Sequence, residues 1–181
     1  MSTTYVADRK REQVYAAERY AFEGTPLADL IDEDDMTNAY HVVVQGAWWK
    51  GMGFRPVEIR PANVTMVKWG GKANASLNYI KTSAGRQRRA TVSHELAHVL
   101  HERTSNNYSI QQAHGATFRR ANVIATSAIF GKQYGTLLEG AYQAFNVPAG
   151  PNQKHSLPHT PVIDIDALDL ATATRGGWKK K

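Results

Sequence analysis

At 181 residues the chain has room for one ordinary domain plus tails, and a second well-cored domain would have to be small. Its 42% hydrophobic and 21% charged residues are the balance of a soluble globular protein, and no apolar run approaches the roughly 18 residues that cross a bilayer. It has no cysteine, which excludes disulfides and thiolate-held metal, so any metal must sit on His, Asp or Glu.

Net charge is +6, unevenly spread. Lys50 to Lys132 carries 13 Lys and Arg against Glu58, Glu95 and Glu102, a local excess of +10, while the acidic run Asp29 to Asp35 lies outside it. A basic middle is compatible with nucleic-acid association or with a plain solvated surface, and no Arg/Lys stripe with interleaved aromatics decides between them. The N-terminus lacks the apolar core of a secretion signal, so a cytoplasmic location without membrane attachment is expected.

In chain order, Asp8 is placed to cap a helix through "RKREQVYAAERYAF", where Val14, Ala17 and Ala21 recur at helical spacing. A second helix is expected after Asp35, through "MTNAYHVVVQGAWWK", stopping at the Gly51-Met52-Gly53 turn. Residues 56–60, 64–69 and 75–80 are short β-branched or aromatic runs between turn signals, which predicts a small sheet of three strands, the last two a hairpin. A Thr or Ser cap in "TSAG" then opens a long helix over about Arg86 to Arg103. Two more helices follow, "AHGATFRRANVIATSAIF" ended by Gly131 and "YGTLLEGAYQAFNV" closed by Pro148. The expected organisation is an α+β domain over 1–147 and a Pro/Gly-rich, flexible C-terminal tail over 148–181.

The chemistry concentrates in "SHELAHVLH", Ser93 to His101. His94, Glu95 and His98 form H-E-x-x-H. Residues four apart on a helix differ by about 40° and one turn, so two imidazoles can grip one ion, and Glu95 lies close enough to polarise a water on it. Val92, Leu96, Val99 and Leu100 fall at roughly 140° to 240° from His94, an apolar back for the same helix. A catalytic zinc needs a third protein ligand and an open position. His101 is two turns from His94 and poorly placed. His114 follows a loop and opens the next helix, with Phe118 one turn on as a ring to pack beneath the site; Glu139 is the alternative, since His/His/Glu sites also hold zinc.

H-E-L-A-H, a linker of 15 residues and then H-G-x-x-F (His114, Gly115, Phe118) resemble the SprT-like zinc metallopeptidases. The chain is more closely similar to a family of small zinc metallohydrolases of actinobacteria and their phages, in the opening charged helix and in a closing helix like "LLEGAYQAF". The resemblance spans about Asp8 to Pro148 and implies a zincin-like domain with a small three-stranded sheet packed on the H-E-x-x-H helix. It further implies Zn2+ held by His94, His98 and His114, with Glu95 as catalytic base. The cysteine zinc ribbon of full-length SprT proteins has no counterpart here, so their DNA-associated cleavage does not carry over.

The expected function is zinc-dependent hydrolysis of a protein or peptide. The substrate would lie extended along a sheet edge, with "ASLNYI" the candidate edge and Tyr79 or Tyr108 the candidate oxyanion donors. The competing expectation is a catalytically inactive metal-binding or basic nucleic-acid-binding module, motivated by the basic middle, "GRQRR" and "RGGWKKK". In that weighing Arg119 and Arg120 count as a solvated face, and His155 and His159 as exposed loop histidines.

Overall fold

The computed structural model describes residues 10–61, 72–74, 78–82, 85–104, 113–151 and 156–165. Helix α1, Arg11–Phe22, buries Val14, Ala17, Ala21 and Phe22, the stripe that the spacing predicts. Asp8, its expected cap, lies outside the described residues. Thr25 then caps a single 3-10 turn, Pro26–Ala28, by accepting from the Leu27 amide, with proline at a first-turn position that needs no donor.

The acidic run serves the next helix. Asp32 caps α2, Glu33–Gln45, by accepting from the Asp35 amide at 2.9 Å. Glu33, Asp34 and Asp35 fill the first turn, where the helix dipole favours negative charge. The helix therefore starts earlier than Asp35, and it does not run on to Lys50. At Gly46 the backbone is extended, and the last turns form a separate α3, Ala47–Gly51. A Cβ at Gly46 would stand 3.1 and 3.2 Å from the Val42 and Val43 carbonyl oxygens, a tight fit that favours glycine at this break.

Among the described residues, five short strands form two sheets. β1, Leu30–Ile31, pairs antiparallel with β5, Gln87–Arg88. β2 (Glu58–Arg60), β3 (Lys72–Asn74) and β4 (Tyr79–Lys81) form a three-stranded sheet in the order β2-β4-β3, β4 being parallel to β2 and antiparallel to β3. Residues 64–69 and 75–77 lie outside the described residues. Tyr79 and Ile80, from the run expected to form the edge, pair on both sides at the sheet's centre. The strand beside the H-E-x-x-H helix is β3.

That helix is α4, Thr91–Thr104. It starts later than Arg86 because Gln87 and Arg88 are taken by β5, and Thr82, an expected cap, instead donates to Glu33 at 2.9 Å. α5 (Ala116–Phe130) packs on α4, α6 (Lys132–Ala144) on α5, and α1 on α6. Gly131, at φ +117°, makes the α5–α6 corner in a region L side chains avoid. The core is one continuous cluster from Val14 on α1 to Ile165.

Of the segment beyond Pro148, expected to be a flexible tail, residues 149–151 and 156–165 are described and pack against the helices. Gly150 donates to the Ala116 carbonyl at 2.8 Å, and Val162 and Ile163 donate to Ala128 and Ile129 at 3.0 and 2.8 Å. Ile163 and Ile165 are buried in the core, and Trp48 Nε1 donates to the Ser156 carbonyl at 3.1 Å. Residues 166–181 lie outside the described part.

Candidate metal centre

Most of α4 is buried: Val92, Leu96, Val99 and Leu100, but also His94, Glu95 and His101. The helix packs on α5 and is flanked by β3 and α2, and of the motif residues on its polar face His94 and Glu95 are buried while His98 is half-buried. His94 and His98 stand one turn apart there. His114 reaches the same place from the turn before α5, where Gly115 is extended and Arg119 donates to the His114 carbonyl at 2.6 Å and to the Pro148 carbonyl at 3.0 Å. Arg119 thereby fixes the backbone that carries the third histidine.

The three imidazoles form a nearly equilateral triangle, with centroids 5.0, 4.9 and 5.3 Å apart. One ligand nitrogen from each lies within 4.8 Å of the others, so the group could hold a metal ion. Nε2 of His94 lies 3.4 Å from Nε2 of His114. A tetrahedral ion with bonds of about 2.0–2.1 Å sets its ligand nitrogens about 3.4 Å apart, so this edge already has the spacing of a zinc site. Phe118 is fully buried beneath, 4.3 to 5.1 Å from the three rings. Tyr15 of α1 flanks the site, 5.4 Å from His94 and 5.2 Å from His114.

His94 is held by a carboxylate from the far end of the sequence. Its Nδ1 lies 2.9 and 3.0 Å from the two oxygens of Glu18 on α1. Glu18 Oε1 also accepts from Asn122 Nδ2 and from the Tyr142 hydroxyl, each at 2.9 Å. With Nδ1 donating to Glu18, Nε2 is the nitrogen left to face an ion. This is the outer carboxylate that orients metal-bound histidines and raises their basicity.

The charges follow. Burial alone would lower the His94 pKa, but the charge of Glu18, its hydrogen bond and the charge of Glu95 reverse this and lift it to about 9. His98 is pushed well below the ordinary histidine range, by burial first and then by His94, His114 and His101, which keeps it in the neutral form a cation requires. Glu95, buried one residue after His94, acts on two phenols. Tyr15 is lifted to about 12 by burial, then by Glu95 and Glu18; fully buried Tyr40 is raised by burial, then by Glu95.

The other candidates fall elsewhere. Glu139 is ion-paired with Arg120 at 2.5 Å, and Arg120 also donates to the Gly150 carbonyl at 2.7 Å. His101 is buried against Phe118 and outside the triangle. Tyr79 lies in the sheet under the Arg60 guanidinium, 4.0 Å from its ring centre; Tyr108 and His155 lie outside the described residues, and His159 is exposed. Arg119 and Arg120 are buried, not a solvated face, because both guanidiniums bond carbonyls of the returning chain. The basic middle thus loses two of its charges to internal structure.

Glu18, Asn122, Tyr142 and Tyr15 are the neighbours that motif reading misses. One signal for Glu18 was available: it stands four residues after Val14 and three before Ala21, a carboxylate within about 40° of the centre of an apolar stripe.

No family model, curated protein or solved structure matches the chain.

Proposed function

We propose that this protein is a zinc-dependent hydrolase of zincin-like build, a metallopeptidase whose zinc is held by His94, His98 and His114 and whose general base is Glu95. One observation carries the reading. Three imidazole nitrogens from α4 and the turn before α5 converge within 4.8 Å, with a buried glutamate at the adjoining position of α4. Three histidines leave a tetrahedral ion one open position, the arrangement of catalytic rather than structural zinc. The resemblance to SprT-like enzymes and to the small actinobacterial and phage metallohydrolases belongs to the same reading.

Bound there, zinc lowers the pKa of a water and polarises a carbonyl oxygen. Glu95 takes the proton from the water that adds to the carbonyl carbon, holds it on its carboxylate and delivers it to the leaving amine nitrogen. Glu18 keeps His94 in the tautomer that offers Nε2, and Phe118 beneath keeps water from the triangle's buried side. β3, beside α4, pairs only with β4 among the described residues. Its other edge suits an extended peptide, held by main-chain hydrogen bonds.

Glu95→Gln tests the mechanism. The variant should keep one equivalent of zinc by metal analysis while hydrolysis of fluorescein-labelled casein falls about 10²–10⁴-fold. Undiminished hydrolysis would sink it.

A further inference from the structure

Three tyrosines approach the histidines and their supports, and two have their hydroxyls engaged. Tyr40 is fully buried, its hydroxyl 3.5 Å from the Thr91 carbonyl. Tyr142 is fully buried and donates to Glu18 at 2.9 Å. Tyr15 differs on both counts: it is half-buried, and its hydroxyl makes no hydrogen bond to another described residue. Its ring stands edge-on to His114 at 75° and tilted against His94 at 49°. Tyr15 precedes Glu18 by three residues, so the face of α1 that braces His94 also brings a phenol beside two of the three imidazoles.

Packing explains the ring but not its hydroxyl. A phenylalanine would touch His94 and His114 equally well, whereas a tyrosine beside a site brings a polar tip that seeks a partner.

We infer that Tyr15 is a catalytic residue, donating a hydrogen bond from its hydroxyl to the oxygen of the scissile carbonyl as that oxygen gains negative charge. The inference rests on the reading of this site as a hydrolase. The water oxygen bonds to the carbonyl carbon, the carbonyl electron pair moves onto its oxygen, and the water's proton goes to Glu95. On collapse that pair re-forms the double bond, the C–N bond breaks, and the nitrogen takes the proton from Glu95. Tyr15 keeps its own proton throughout and stabilises charge only while it exists.

The test is Tyr15→Phe in the zinc-loaded full chain, with inorganic phosphate as a tetrahedral oxyanion probe titrated by calorimetry. Zinc content and thermal midpoint should match wild type, phosphate should bind about tenfold more weakly, and kcat on labelled casein should fall about 10²-fold with KM nearly unchanged. Phosphate binding that is equal in the two proteins, or absent from wild type, overturns the inference. Loss of zinc from the variant also overturns it, because Tyr15 is then part of the site's framework. The two readings fail separately: wild-type protein that holds zinc and cleaves no casein removes the hydrolase, while a phosphate difference would still mark Tyr15 as an oxyanion donor.

Discussion

Glu18 and His94, 76 positions apart in the chain, meet at 2.9 Å, and the same carboxylate oxygen accepts from Asn122 and Tyr142. Helices α1, α4, α5 and α6 are thus joined at one carboxylate, which sets the orientation of one imidazole. Glu18→Gln keeps the shape and removes the charge. Its zinc affinity, measured by chelator competition, is expected to fall about 10–100-fold with little change in thermal midpoint. Affinity equal to wild type would mean that the carboxylate serves packing alone.

The same pair sets a pH dependence. With its pKa raised to about 9, His94 in the metal-free protein carries two ring protons at neutral pH, and the Nε2 proton must leave before a cation can bind. The competing proton is fully present below about pH 9 and gone above it. Zinc affinity should therefore rise about tenfold per pH unit up to about pH 9 and then level off. His98, held neutral, adds no competition in this range. In Glu18→Gln the plateau should begin at lower pH; one that stayed near 9 would mean another group supplies the competing proton.

What the sequence reveals of this site is what is local. His94 and His98 share a helical face by spacing, and His114 stands at the start of a helix after a loop; both follow from periodicity and cap chemistry. Strand order is not local, so Tyr79 and Ile80 are recognisable as strand while their place between β2 and β3 is not. Arg119 and Arg120 read as surface because charge usually is, yet both are buried, Arg119 on two carbonyls and Arg120 on one carbonyl and the Glu139 carboxylate. Glu18 is the instructive case. A carboxylate on a buried stripe is a conflict between levels, and such conflicts mark functional sites.

The C-terminal segment reads as loose because Pro and Gly recur through its first half, but Ile163 and Ile165 in "PVIDID" anchor its described part in the core. Ile165 is almost fully buried, so Ile165→Ala should cost about 2–5 kcal/mol in chemical denaturation. An unchanged denaturation midpoint would return the segment to a flexible tail.

Between the two candidates for third ligand, the surroundings of each carboxylate or imidazole decide what its removal does. His114→Ala takes one corner from a triangle whose nitrogens lie within 4.8 Å, so bound zinc should drop well below one equivalent at micromolar metal. Glu139→Ala leaves the triangle intact and strips Arg120 of the carboxylate 2.5 Å away. Arg120 is buried, and an uncompensated buried cation is costly, so this variant should keep a full equivalent of zinc while its thermal midpoint falls. Metal analysis and a melting curve on both proteins separate the two roles, and zinc lost from Glu139→Ala but kept by His114→Ala would reverse the assignment.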